Sequence, residues 1–429
     1  MCLAAALAST AGRAHAQGLS PSEILQQFND VIFGNFSTSA DVEGRSVIGG
    51  NMTGGATFAL NANAEAASAF AALTVYGSET GTGSYNIDGT GGAVINGSNA
   101  GAFTLNAGGS VFVGGNNTGN VTSNSGSTSI AIAGSNSGTL NLNDGGSVTI
   151  GAGNTAGVTI SNGSGASDSV SINGNNSGYL TLNAGGTVKV NGNAGSGSLN
   201  GGSVAYTGSK GSWNLNGGAT AVKVSSLNLP VPSSPLPSFA STFEQPLIAL
   251  SNQLAALTPT STVLTSGNNV TLEAKPAADG IAVLDISTSV FQPNDSVSVA
   301  LNGAKSLIIN LSVAGCSKDC SYTFPTSVNF QNTTTYADSV LWNVTDVSSL
   351  SFTNAFGGSV LAPIASVTNT GPINGDLIAL SLQGAGELHD YPFTGPLPTP
   401  EPSSLAVMAV ALAGTGALRR RWRARPSPR

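Results

Sequence analysis

His389 is the one imidazole in the chain beyond its first sixteen residues, and it stands between Glu387 and Asp390 in the stretch GELHDYPF. A histidine beside a carboxylate begins an acid–base or nucleophile-activating pair, but the chemistry also needs a nucleophile within hydrogen-bond reach. Adjacent residues on a strand point to opposite faces, so Asp390 is poorly placed to orient the His389 ring, and there is no GxSxG elbow. Distant carboxylates brought together by a coiled β structure are a second route, glycoside hydrolysis, which requires Asp and Glu on one coil face in a cleft. The expectation is a chain with no catalytic residues. A polysaccharide-acting hydrolase is the alternative that such a cleft would revive.

Two further residues could do chemistry. Cys316 and Cys320 are separated by Ser-Lys-Asp, and in an exported chain they are expected to form a disulfide closing a hairpin-like loop. A zinc site would need a second cysteine pair or more histidine, and calcium-binding repeats would need an aspartate per turn. Asp88, Asp144 and Asp168 fall at irregular places, so no metal and no cofactor are expected.

Export is argued from both ends of the chain. MCLAAALASTAGRAHA is apolar and rich in small residues, and Ala14-His15-Ala16 fits signal peptidase, predicting cleavage between Ala16 and Gln17. No basic stretch precedes it, so the true start codon is expected upstream, or the signal is shortened. At the other end stand Pro400, Glu401 and Pro402, then an apolar run over 403–418, then Arg419, Arg420 and Arg421 with three more arginines. An apolar run bordered by arginines reads as a single C-terminal transmembrane helix whose basic edge is a cytoplasmic stop. This tail resembles the PEP-CTERM sorting signal. That resemblance implies an exosortase that cuts near the triplet, with the chain as its substrate: an inner-membrane precursor first, then a body at the cell surface or in the extracellular matrix.

Of the 14 basic residues seven lie outside 17–402, while all 21 acidic residues lie inside, so the body carries 7 − 21 = −14. A surface this acidic excludes nucleic acid and anionic lipid as partners of the body as a whole. Only 8% of the residues are charged, so solubility rests on Ser, Thr, Asn and Gly.

The elements that must position any site are repetitive. Units begin at Ser110, Ser129, Ser147, Ser169, Thr187 and Ser203, spaced 19, 18, 22, 18 and 16 residues, with earlier copies at Leu73 and Ala93. Each holds two short alternating segments, Ser-Val-x-Val and x-Leu-x-Leu, separated by Gly and Asn. Alternation marks strands with one buried face, and a unit of 16 to 22 residues is too short to bury a core alone, so units must stack. The fold expected is mainly β, a right-handed parallel β-solenoid (β-helix) with a flanking α-helix. Recurrent Leu-Asn corners at Asn106, Asn143, Asn183, Asn200 and Asn216, each followed by a glycine pair, are expected to align their asparagines in an amide ladder.

Two helices are expected. Ser20-Pro21-Ser22-Glu23 is a capping box opening a helix through Phe28. Phe243, Leu247, Leu250, Leu254 and Leu257 make one apolar stripe after a proline-rich link, with Pro246 in the first turn or at a kink, and the stripe should pack on the solenoid flank. Ile281–Ile286, Val297–Leu301, Leu307–Val313 and Val360–Val367 read as further alternating strands. The division is 1–16 signal peptide, 17–45 N-terminal helix and block, 46–224 repeats, 225–262 link and helix, 263–396 second solenoid part and 397–429 sorting signal.

VIFGNFSTSADVEGRSVIGGN from Val31, LSNQLAAL from Leu250, VLWNVTD from Val340, GSVLAP from Gly358 and GAGELHDYPFTG from Gly384 together resemble the choice-of-anchor A domain. The resemblance spans nearly the whole body, implies variable surface anchoring, and brings no activity with it. The long Gly/Asn-rich insert departs from that pattern. Thr104, Thr139, Thr159 and Thr181 hold roughly equivalent places in it, and a flat face with regular Thr and Asn can match a repeating ligand. The reading is an exported structural or adhesion protein, the alternative a solenoid that binds polysaccharide or ice, with exopolysaccharide as candidate partner.

Processing can be tested. Changing Glu401 and its flanking prolines should leave an uncleaved precursor in the inner membrane, whereas neutralising Arg419, Arg420 and Arg421 should weaken the stop itself. Cell fractionation with an N-terminal and a C-terminal epitope separates the two outcomes.

Overall fold

The structure, a computed structural model, describes residues 18–62, 64–163, 168–234 and 236–398. Ala16, Gln17, Pro400, Glu401, Pro402, Arg419, Arg420, Arg421 and the 403–418 run lie outside them. Among the described residues no helix is long and apolar enough to cross a membrane.

The alternation in the repeats becomes coils. In one unit Gly146–Ile150 is a strand, the chain turns at Asn154, Val158–Ile160 is a second strand, and a corner returns it to Ser169–Ile172. Val148, Ile150, Val158 and Ile160 are at most 1% exposed, while Ser147, Thr149 and Thr159 face outward. Each strand pairs in parallel with its counterpart one coil on, Ser147 with Ser169 and Ile150 with Ile172, and likewise Val158 with Leu180. Equivalent side chains therefore stack on one another, and each buried Val, Ile or Leu contributes about 1.5–3 kcal/mol by leaving water. The Gly-Gly corner has a geometric cause. Gly146 sits at φ +135°, and a Cβ there would lie 2.0 Å from Thr128 O on the coil below.

The coils do not stack in chain order. On the broad side the sequence of neighbouring strands is Ile281–Ser287, Ser306–Ser312, Val340–Val344, Ser359–Asn369, Leu377–Gly384, then Asp30–Ile32, Ser46–Ile48, Leu73–Val75 and onward to Thr220–Lys223. The chain thus starts in mid-stack and climbs to one end. It returns along the flank through 225–262, restarts at the other end, and closes against its own beginning. Asp30 pairs with Leu377 and Ile32 with Ala379 at this seam. The narrow side is a nine-stranded parallel sheet from Thr57–Phe58 to Trp213–Asn216. The architecture is mainly β with long parallel sheets, and the repeats and the 263–396 segment share one stack.

Helix α1, Pro21–Gln27, carries its capping box: Ser20 Oγ accepts from Glu23 N, and the Glu23 carboxylate accepts from Ser20 N at 2.8 Å. Helix α2, Gln245–Ala255, is preceded by a π-turn over Ala240–Glu244, wound where Pro246 has no N–H to continue the α pattern upstream. Phe243, Leu247, Leu250 and Leu254 are buried against Ile308, Leu341, Leu361, Ile378, Val31 and Val47, which point outward from the broad side on both flanks of the seam. Here the expectation of alternating strands fails for the 281, 307 and 360 runs. Ile281–Leu284, Leu307–Ile309 and Val360–Ala362 are buried on both faces because α2 covers the outer one. Ser251 and Asn343 fix the helix, Ser251 Oγ donating to Asn343 Oδ1 at 2.6 Å and Asn343 Nδ2 returning a bond to Ser251 O at 3.0 Å.

The seam is lined by carboxylates. Asn29 Nδ2 donates to Gly375 O and His389 O, and Arg45 Nη1 donates to Glu65 Oε2 at 3.0 Å and to Gln27 O at 2.7 Å. Asp376 Oδ2 accepts from Ser359 Oγ and Phe393 N, both at 2.9 Å, and Asp30 accepts from Ser46 Oγ. Asp390 Oδ2 accepts from Ala64 N while Asp390 N donates to Glu43. Loss of water pushes these acids up: Asp30 to about 8, Glu65 to about 7, Asp390 to about 6, and Asp376 well above its usual range.

The folded state therefore binds more protons than the unfolded chain between about pH 4 and pH 8. Its stabilisation is complete below the ordinary carboxylate range and is lost as pH rises through about 6, 7 and 8 in turn. Urea unfolding midpoints should fall from pH 5 to pH 8.5, and Asp30→Asn should flatten that dependence. A midpoint that rises over this interval contradicts the assignment.

Candidate binding face

The outer surface of the narrow side is built by register. Thr57, Asn86, Thr104, Thr122, Asn141, Thr159, Thr181, Ser198 and Asn214 are paired strand to strand, one per coil. Eight steps of about 4.8 Å give a column of about 38 Å. None of the nine strands contains a charged residue. The column corrects one sequence expectation. Thr104, Thr159 and Thr181 share it, but Thr139 does not, because it precedes the strand Leu140–Leu142 and stands opposite Asn120, whose Oδ1 accepts from Thr139 N at 2.9 Å. Asn141 takes that coil's place, and Thr122, not foreseen, joins the column.

Beside it runs a second exposed column of amides. Asn106 Nδ2 donates to Asp88 Oδ1 at 2.6 Å, Asn124 Nδ2 to Asn106 Oδ1 at 2.8 Å and Asn143 Nδ2 to Asn124 Oδ1 at 3.2 Å. Asn106 and Asn143 are Leu-Asn corners, with Asn124, which follows Ser123, between them, and the bonding continues unevenly, Asn183 reaching Ser161 Oγ and Asn200 reaching Asn183 O.

The regular ladder lies elsewhere, buried at the turn between the two sheets. Asn99, Asn117, Asn136, Asn154 and Asn176 are each at most 2% exposed, and each Nδ2 donates at 2.7 Å to the Oδ1 of the next as far as Asn176. The second N–H of each goes to a backbone carbonyl two residues on, as from Asn117 to Gly119 O at 2.8 Å. Gly119 is required there, since a Cβ would stand 1.8 Å from Gly101 O. The lower end is taken by Glu79, whose carboxylate accepts from Gly81 N, Tyr85 Oη, Ala100 N and Gly101 N. At the upper end Asn176 donates to Ala194 O at 3.0 Å. A signal for this ladder existed: Asn-Thr-Gly, Asn-Ser-Gly, Asn-Thr-Ala and Asn-Ser-Gly recur once per unit from Asn117.

The other sequence candidates are dispersed. Cys316 and Cys320 are joined, with Cα atoms 6.0 Å apart, tying the loop after Ser306–Ser312 to the first residue of the strand Cys320–Thr323. His389 Nδ1 lies 2.7 Å from Asn374 Oδ1 and Nε2 lies 2.9 Å from Glu387 Oε2, so its neighbours hold both ring nitrogens, while Asp390 turns to Glu43 and Ala64. A cleft of about 280 Å³ has Glu65, Asp88 and Arg45 in its lining. Glu65 is occupied there: Arg45 N, Asn29 N and Arg45 Nη1 all donate to it. Asp88 accepts from Asn106. Among the described residues no group of His, Cys, Asp and Glu could hold a metal ion.

Residues 145–390, more than half the chain, match the ice-binding-like adhesive domain. The chain belongs to that family. A PEP-CTERM protein-sorting motif matches residues 398–421, which include Pro400, Glu401, Pro402, Arg419, Arg420 and Arg421. This motif implies exosortase processing and export to the cell surface, so the adhesive domain is part of a surface adhesion protein. No curated protein matches the chain. Among solved structures, the C-terminal domain of a tapirin from Caldicellulosiruptor kristjanssonii is 12% identical, covering 89% of this chain and 100% of that one, with a TM-score of 0.26. An ice binding protein from an Antarctic bacterium of the Flavobacteriaceae is 14% identical, covering 87% and 98%, with a TM-score of 0.22. Overlaps this low say nothing about shared function.

Because the buried ladder satisfies amides that water cannot reach, Asn136→Ala should cost about 1–3 kcal/mol by orphaning Asn117 Nδ2 and Asn154 Oδ1. Asn143→Ala, on the exposed column, should cost under about 0.5 kcal/mol. Urea denaturation of the two variants gives the comparison, and equal losses contradict the ladder's role.

Proposed function

We propose that the body is an adhesive and structural element of the cell surface or extracellular matrix, gripping a repeating, hydroxyl-rich polymer along its narrow side. The observation that carries this reading is the uncharged Thr/Asn/Ser column, one outward side chain per coil over about 38 Å, held in register by the buried amide ladder. A polymer of repeating sugars offers hydroxyls at regular intervals, and a rigid matching array binds it without first ordering its own side chains. The family's adhesive character agrees. Ice is the alternative regular ligand, but Asn86, Asn141 and Ser198 interrupt the threonines, so polysaccharide is the preferred ligand.

On this reading signal peptidase removes residues 1–16, an exosortase cuts near Pro400–Pro402, and residues 17–402 form one body with no domain boundary at 46 or 263. The resemblance to choice-of-anchor A domains fits the same picture. Two of the blocks that carry it, 31–51 and 384–395, meet at the seam, where Val42 bridges Leu388 and Asp390 N bonds Glu43.

Purified processed protein should bind polysaccharides on a glycan array, and Thr122→Lys with Thr159→Lys should weaken binding about tenfold while leaving the circular dichroism melt unchanged. Thermal hysteresis without glycan binding would transfer the reading to ice. No effect of the two lysines on any ligand would remove the face from consideration.

A further inference from the structure

The seven basic residues of the body are not spread evenly. Lys189, Lys210 and Lys223 all fall in the last three coils, and between Asp168 and Glu244 the chain has no acidic residue, a run of 243 − 169 + 1 = 75 positions. Lys189 faces outward on the broad side in one column with Ala205 and Val222, whereas Lys223, next to Val222 on the terminal strand, stands in the opposite column with Val190 and Tyr206, over the open end of the core, and Lys210 lies at the turn between the two sheets. They span about 10 Å along the stack. All three are exposed, and among the described residues none has an ion-pair partner. Asp168, the acid that precedes this run, is 2% exposed and accepts from Gly146 N on the coil below, and Asp144 is bound to Gly126 N further down. At a Debye length of about 8 Å the acids of the opposite end, some 70 Å away, are screened from this pole.

The end itself is open. The broad side terminates at Thr220–Lys223 and the narrow side at Trp213–Asn216, and among the described residues no strand pairs with either outer edge. At the opposite end Thr260 N and Ser261 N cap Val283 O. Trp213 lies across Gly197, its Nε1 donating to Gly195 O at 3.0 Å, and half-buried Tyr206, in the column that ends at Lys223, adds a second ring at the open end.

We propose that this pole is a second binding site, separate from the narrow-side column, for a carboxylate-bearing polysaccharide such as a polyuronate. Ammonium groups pair with the carboxylates, the open strand edge supplies N–H donors, and the aromatic rings stack on sugar rings. A polyuronate carries one charge per sugar, sparser than duplex DNA at one per about 1.7 Å. Sparse charge suits three lysines on a body of −14. A second copy meeting this one end to end would set its lysines against these three, which opposes self-pairing.

The test uses processed full-length protein with polygalacturonate as probe, dextran as neutral control and duplex DNA as the competing polyanion. Polygalacturonate should bind, weaken with salt, and bind about tenfold less well to the Lys189→Gln, Lys210→Gln, Lys223→Gln variant. The matching lysine-to-arginine variant should retain binding, and Lys275→Gln with Lys305→Gln, near the opposite end, should leave it unchanged. An unaltered melt guards against misfolding. The site is overturned if the glutamine variant binds polygalacturonate as well as wild type, if its binding of dextran or DNA falls by the same factor, or if sedimentation shows the three lysines hold a dimer. Each of these outcomes is read independently of the narrow-side variants.

Discussion

The parallel seam between Asp30–Ile32 and Leu377–Ala379 is the contact on which the rest of the molecule depends. A coil of about 18 residues has a floor and a ceiling of exposed apolar side chains and gains stability only from its neighbours. Without the seam there would be two shorter stacks, each with an extra open end. Joining them makes one core from Ile286 to Leu199 and removes the two open ends that would face each other at the seam. The join is polar at its rim and apolar beneath, with the apolar part roofed by α2 and the rim filled by Arg45, Glu65, Asp376 and Asp390. Burying so many acids is costly, and the structure offsets that cost by protonation and by backbone N–H donors, not by salt bridges alone: Arg45 faces several carboxylates.

The division of labour along each strand follows from coverage. Where α2 lies over the broad side, strands read as continuous apolar runs such as SLIINL, and where solvent lies over it they read as SVTI or SVSI. Among the described residues no helix lies over the narrow side, and its central outward column is Thr, Asn and Ser along its whole length, with Ala102 and Tyr179 in the column beside it. A polar, uncharged, regular surface on an acidic protein needs a rigid support, and the buried asparagine ladder supplies it one coil at a time.

Much of this was legible in the sequence. Alternation placed the repeat strands, Gly-Gly pairs placed the corners, and Ser20 to Glu23 and the Phe243 stripe placed both helices. The Leu-Asn corners do exchange amide bonds from Asp88 to Asn143, but the unbroken buried ladder belongs to the Asn-Ser-Gly turns, since the two recur at the same period and composition does not say which faces inward. Thr139 was misplaced because loop lengths vary between units, and an offset along a strand moves a side chain into another column or onto another face. The stack order left no local trace at all. Pairing between residue 30 and residue 377 has no periodicity to detect, so the doubly apolar runs at 281, 307 and 360 were read as ordinary half-buried strands.

The exit of the chain gives the molecule a mechanical character. Pro398 O is held by Gln253 Nε2 at 2.9 Å and Pro396 O by Ser306 Oγ at 2.9 Å, so the tail departs beside α2, low on the stack, on a different side from the narrow sheet. Tension between that departure point and a load gripped by the upper coils must run along the stack axis and across the seam, in the direction of the inter-strand hydrogen bonds. The π-turn and α2 together, 16 residues at about 1.5 Å each, reach about 24 Å, or five strand spacings, with anchors above and below the join. The helix is then a splint, and the force needed to open the molecule at its waist is set by how firmly Phe243, Leu247, Leu250 and Leu254 stay seated.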